Sequence, residues 1–183
     1  MTRVSVFGGA QCIPGQPAYE EALLLGQFLG SSGYTVLTGA YSGTMEAVSR
    51  GASETGGHVI GVTCQEIENY RSLPPNRWVM EEIRRDRLID RIFTLIQDTD
   101  AAIALPGGVG TLVEITMLWN YLLIGALEPK PLIVVGEGWK KTIRNLCVTF
   151  SDFIPSKEIS WITFAKDAQA AIELLDPLIT NSS

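Results

Sequence analysis

The stretch Asp100-Ala101-Ala102-Ile103-Ala104-Leu105-Pro106-Gly107-Gly108-Val109-Gly110-Thr111 decides the reading of this 183-residue chain. Residues 100–105 are nearly all apolar, as expected of a strand covered on both faces. Pro106 and the glycines then break the strand, and an apolar helical segment follows over 111–126. A strand that ends in glycines and opens directly into a helix suits phosphate binding. Glycine has no Cβ, so backbone N–H groups can approach phosphate oxygens closely. The helix start adds its dipole and its unpaired N–H groups. The same glycines also serve a tight strand-to-helix turn, so one loop alone is weak evidence.

Working outward, the pattern repeats. Residues 4–7 form a short β-branched run that ends in Gly8-Gly9, and 17–31 show helical periodicity. Residues 34–37 read as a strand ending at Thr38-Gly39, 44–55 as a helix closed by Gly56-Gly57, and 58–62 as a strand. Residues 63–78 are expected to be irregular, with Pro74-Pro75 as a breaker, and to cover part of a pocket. Residues 80–97 are expected to form one long charged helix. After the central strand and helix come a strand at 131–135, a helix at 139–148, a strand at 160–164, a helix at 167–175 and a frayed tail at 179–183. Strands alternating with helices predict a single α/β domain over 1–178, a doubly wound, Rossmann-like parallel sheet with helices on both faces. Right-handed crossovers predict that the first five strands lie in the order third, second, first, fourth, fifth. Ligands then bind at the switch point, where the first and fourth strands end. Gly8-Gly9 and the loop from Pro106 to Thr111 both lie there.

The bulk numbers narrow the function. Hydrophobic residues make up 46% and charged residues 19%, enough for a packed core and too little charge for disorder. The formal net charge of -6 disfavours nucleic acid and anionic membrane surfaces as partners. The three cysteines, Cys12, Cys64 and Cys147, are dispersed and form no CxxC pair, which suggests a reducing compartment and neither disulfides nor zinc. No leader pattern precedes the first strand, so a cytoplasmic protein is expected. The lysines all follow the central strand, none stands where a P-loop lysine would, and no metal cluster or cofactor is implied.

Several residues carry two readings. Thr111 to Glu114 fits the T-x-x-E capping box, which spacing alone favours; Glu114 would also stand beside a phosphosugar held by the loop. Arg84, Arg87 and Arg91 would share one face of the expected long helix, ordinarily a solvated face. His58 starts a strand, at the edge opposite the expected site. Trp78 and Tyr41 could stack on a base or simply pack.

The run Pro106-Gly107-Gly108-Val109-Gly110-Thr111-Leu112-Val113-Glu114 resembles the PGGxGTxxE signature of the LONELY GUY (LOG) family of cytokinin riboside 5′-monophosphate phosphoribohydrolases. Some of its members were long labelled lysine decarboxylases. Phe7-Gly8-Gly9, the loop Thr38-Gly39-Ala40-Tyr41-Ser42-Gly43-Thr44-Met45-Glu46 and the run from Gly56 to Val62 are similar to further family segments. The resemblance implies hydrolysis of the N-glycosidic bond of a nucleoside 5′-monophosphate. It places a catalytic glutamate at Glu114 and a catalytic arginine at Arg91. It assigns nucleotide binding to Gly8, Gly9, Gly39, Gly43, Met45, Pro106, Gly107, Gly108, Val109, Gly110 and Thr111. It also implies a homodimer packed through the helix at 111–126. The chain departs from the family at Ile92, where a lysine follows the arginine, and in the second loop, where Gly39-Ala40 and Thr44-Met45-Glu46 replace a glycine triplet and an LMG end. These departures are nearer to a bacterial branch than to the plant enzymes. A non-catalytic carrier, of the kind that binds molybdenum cofactor on a similar loop, is the alternative. Lysine decarboxylation is rejected, because pyridoxal phosphate chemistry needs a Schiff-base lysine and none lies near the expected pocket.

Overall fold

Strands and helices alternate along the chain, as the periodicity predicts. The computed structural model describes residues 1–71 and 74–182, so 72 and 73 of the expected irregular stretch, and 183 of the expected tail, lie outside it. The strands are β1 (Arg3–Phe7), β2 (Thr35–Thr38), β3 (Val59–Cys64), β4 (Glu81–Arg85), β5 (Ala101–Ala104), β6 (Leu132–Val135) and β7 (Thr163–Ala165). The helices are α1 (Pro17–Ser31), α2 (Thr44–Glu54), α3 (Gln65–Arg71), α4 (Leu88–Gln97), α5 (Val109–Leu123), α6 (Glu137–Thr149) and α7 (Ala168–Ser182), with a short 3₁₀ helix at Ser156–Trp161.

All seven strands form one sheet in the order β4-β3-β2-β1-β5-β6-β7, and every pairing is parallel. The expected central order is therefore present, extended by one strand at each edge. Side-chain alternation divides the core in two. Val4, Val6, Val36, Ile103 and Val135 face α1, α2 and α7. Phe7, Leu37, Val62, Ala104 and Val134 face α4, α5 and α6. Each central strand is buried on both sides, which is why its sequence reads as a continuous apolar run. Helices α1 and α2 approach closely, because a side chain at Gly26 or Gly51 would strike backbone of the facing helix.

The long helix expected over 80–97 is instead strand β4, a bend, and helix α4. Locally, Glu81-Glu82-Ile83-Arg84-Arg85 offers a helical i,i+4 charge pair, Glu81 with Arg85, and that pattern misleads. The segment pairs with β3 from Ile60↔Glu81 to Cys64↔Arg85. Its charges find partners across elements: Thr63 donates to Glu82 at 2.5 Å, and Arg84 donates to Gln65 at 2.5 Å and Glu68 at 2.6 Å. An edge strand keeps such charges in water and guards the edge against mispairing. Arg84, Arg87 and Arg91 therefore share no helix face.

Other boundaries move less. β3 continues to Cys64 and is followed by α3, both inside the stretch expected to be irregular. α5 starts two residues before Thr111. α7 continues to Ser182, beyond the expected end at 175, and Tyr34 bonds Asp176 on it. Among the described residues, no helix is long and apolar enough to cross a membrane, and no group of His, Cys, Asp and Glu could hold a metal ion.

Candidate functional site

Three glycine loops meet where β1, β2 and β5 end. The Gly9 N–H donates to the Pro106 carbonyl at 3.3 Å, and the Gly9 carbonyl accepts the Thr44 N–H at 2.9 Å and the Thr44 hydroxyl at 3.1 Å. Gly43 has φ 72 and packs so tightly that a Cβ there would meet the Gly9 carbonyl and Ala10, so glycine is required on both grounds. Gly8 abuts Thr44, and Gly107 abuts Thr111. Gly108 caps α5 with no side-chain hydrogen bond, and open space lies beside Gly108 and Gly110. The first N–H groups of α5 thus face an open, anion-attracting space. The adjoining cleft, ≈ 330 Å³, is lined by Gly9, Gln11, Cys12, Thr44, Pro106 and Gly107 among others. A larger recess of ≈ 590 Å³ lies at the opposite end of the strands, around Thr2, Asp100 and Lys130. Its side-chain cation, Lys130, is already bonded to the carbonyls of Ile96, Gln97 and Thr99.

Behind the loops lies a buried ion pair. Arg91, in the first turn of α4, reaches the end of the sheet with its side chain 6% exposed. Its Nε donates to the Val62 carbonyl at 2.8 Å and its Nη2 to the Gly39 carbonyl at 3.0 Å. Its guanidinium carbon lies 5.6 Å from the centre of the Tyr41 ring, and Nη2 lies 3.9 Å from Met45 Sδ. Nη1 stands 3.8 Å from Glu114 Oε1, and the Glu114 side chain is 9% exposed. Gly39 leaves room for this arrangement, since a side chain there would overlap Arg91 Nη2 and Met45 Sδ. Burial pushes the Glu114 carboxyl from its ordinary 4.5 up to about 7, and Arg91 draws it partly back. A carboxyl poised there can exchange a proton near neutral pH.

The capping box is not formed. Gly108 is the N-cap, Thr111 is the third helical residue and is 3% exposed, and Glu114 lies in the second turn, turned inward. Of the expected site residues, Gly9, Pro106, Gly107 and Gly108 line the cleft, Gly8, Gly43 and Thr111 pack against that lining, Val109 and Gly110 open α5, and Gly39 and Met45 contact Arg91. Ile92, at the position of the family lysine, is 5% exposed in the core facing α5. Trp78 lies between Arg50 and Arg77, along α2 rather than at the loops. His58 pairs with Glu81 at 3.1 Å, at the sheet edge away from the loops. Cys64 is buried, Cys12 and Cys147 are half-buried, and all are free.

Two residues support the Arg91–Glu114 pair: Tyr41, which the sequence leaves between stacking on a base and packing, is buried, and Asn76 escapes the sequence reading. Tyr41 receives the Cys64 N–H at 2.8 Å and is thereby fixed beneath Arg91. Asn76 donates from its side chain to the carbonyls of Ala40 and Tyr41 at 2.9 and 3.1 Å, clamping the second loop, where Ala40 has φ 68. The available clue to Asn76 was its place just after Pro74-Pro75.

The profile of the SLOG cluster4 family matches residues 1–150. A probable cytokinin riboside 5′-monophosphate phosphoribohydrolase of Oryza sativa is 35% identical over 131 residues, covering 67% of this chain and 50% of that protein. The cytokinin riboside 5′-monophosphate phosphoribohydrolase of Mycobacterium tuberculosis is 32% identical, covering 65% of each chain. Among solved structures, the molybdenum cofactor binding protein of Rippkaea orientalis superposes with a TM-score of 0.74 at 24% identity, over 97% of both chains. That last likeness concerns the fold.

Proposed function

The chain belongs to the SLOG cluster4 family and is a relative of the LOG phosphoribohydrolases, and from this premise we propose that it hydrolyses the N-glycosidic bond of a nucleoside 5′-monophosphate. The observation that carries the proposal is the pairing of an open glycine loop at the start of α5 with a buried ion pair between Glu114, in the second turn of that helix, and Arg91 of α4. Glu114 lies about 7.5 Å along the axis from the first residue of α5, and helical side chains tilt back toward the N-terminus. That spacing suits a ligand whose phosphate sits on the loop amides and whose ribose lies over Glu114.

As the bond to the base breaks, positive charge develops on the ribose, as in glycoside hydrolysis. Ionised Glu114 stabilises that charge and takes a proton from the attacking water, whose oxygen bonds C1′. The base leaves with the bonding pair and gains a proton; ribose 5-phosphate is the second product. Arg91, with two donors engaged by carbonyls, orients Glu114 rather than clamping the phosphate. The ligand is a small nucleotide or phosphosugar, and two copies of the chain pack through α5.

The second reading, a carrier without chemistry, draws on the enclosure of Glu114 and the absence of a cation at Ile92. The two are separated by measuring base release, by chromatography, from a panel of purine and pyrimidine 5′-monophosphates, with Glu114→Gln as control. Release that is lost in the variant supports hydrolysis and names the preferred base. Nucleotide binding without any release supports the carrier, and release that E114Q leaves unchanged sinks the assignment of Glu114.

A further inference from the structure

Hydrogen bonding between β1 and β5 changes partner where the phosphate loop begins. The Leu105 N–H donates to the Phe7 carbonyl at 2.9 Å. In a parallel ladder, the carbonyl of such a residue accepts the N–H two residues further along the neighbouring strand, here that of Gly9. Gly9 breaks the ladder, since its N–H donates to the Pro106 carbonyl at 3.3 Å instead. This step turns the chain out of the strand and into the glycine loop, and it strands the Leu105 carbonyl. Leu105 is 1% exposed, so water does not replace the missing donor. The indole of Trp139 does: its Nε1–H donates to the Leu105 carbonyl at 3.0 Å. Trp139 comes from the first turn of α6, is itself 9% exposed, and follows Gly136, whose Cα direction faces the Pro106 ring.

We propose that Trp139 is a positioning residue for the phosphate loop. It supplies the donor that the ladder withdraws from Leu105, and so fixes where Pro106 leaves the strand and where the first amides of α5 point. A phenyl ring would fill most of the same core space but could not hold the carbonyl. The role in ligand binding rests on the phosphate-binding reading of the loop; the role in holding the loop does not.

The test uses Trp139→Phe in the full chain and two readouts. The first is amide hydrogen exchange, without ligand. Gly9 and Leu112 donate to loop carbonyls, of Pro106 and Gly108, and are expected to exchange about five- to tenfold faster in the variant, while Val36 in β2 keeps its rate. The second is titration with ribose 5-phosphate, where Kd is expected to rise by a similar factor; with a releasable nucleotide, KM rises and kcat at saturation holds. A purely structural role would instead speed exchange in β2 and the loop alike. If the unmutated protein binds no ribose 5-phosphate or nucleotide but the exchange result holds, the functional reading fails and the positioning role stands. If the unmutated protein binds and W139F leaves both readouts within twofold, the positioning role is overturned. In the unmutated protein the Trp139 indole N–H must itself be protected; free exchange there overturns the proposal even if W139F fails to fold.

Discussion

Glu114→Gln should make the protein more stable at alkaline pH while abolishing its turnover. Burial raises the Glu114 carboxyl from 4.5 to about 7, in spite of Arg91. A carboxyl with a raised folded-state pKa binds its proton more tightly in the native state than in the unfolded chain. Its favourable contribution is therefore full below about pH 4.5 and is lost as pH rises through about 7. Each pKa unit corresponds to about 1.4 kcal/mol, so the loss approaches about 3 kcal/mol. Glutamine resembles the protonated carboxyl and does not titrate, so E114Q escapes this loss. Urea unfolding of both proteins from pH 4 to 8.5 gives the comparison, and subtracting one curve from the other cancels every other titrating group. The difference should be small at pH 4.5, grow across the interval, and level off above pH 7 near 3 kcal/mol in favour of the variant. On the proposed hydrolytic reading, base release by the unmutated protein should rise over the same interval, because that reading assigns the work to the ionised carboxylate. A stability difference that is flat with pH would refute the argument, since Glu114 would then ionise as an ordinary surface carboxylate.

Arg91→Met removes the cation that lowers the Glu114 pKa, along with the donors to Val62 and Gly39. Stability should fall by about 2–3 kcal/mol in urea unfolding, and the rise of any residual activity should move to higher pH; an unchanged pH midpoint would show that the two groups are not coupled. Helix α5 buries Ile115, Leu118 and Leu122 against the sheet yet leaves Val113 39% exposed, with Leu112, Met117 and Tyr121 only partly covered. Light scattering at micromolar concentration should give twice the chain mass, and a monomer would remove α5 as an interface.

The fold was legible where local pattern and tertiary environment agree. The runs at 4–7, 58–62 and 100–105 read as strands, the last as one covered on both faces, and their residues divide between two cores by simple alternation. The stretch 81–85 was not legible, because its charges serve a helix locally as well as they serve an edge strand; the choice rests on β3, Gln65 and Glu68. Glu114 shows the same limit at the site. T-x-x-E is a sound capping pattern, but the turn begins earlier, at Gly108, so the glutamate falls in the second turn and faces inward.

The sequence by itself determined the parallel α/β class, the central strand order and the position of the glycine loops at the switch point, because periodicity, glycine placement and crossover handedness are properties of short segments and their order. Only the tertiary structure decided what Arg91 and Glu114 are. Arg91 is held by carbonyls from β3 and the loop after β2, and Glu114 is buried on α5 beside Arg91 of α4. Desolvation and charge pairing depend on everything within a few ångströms, and residues far apart in the chain become neighbours only when it folds.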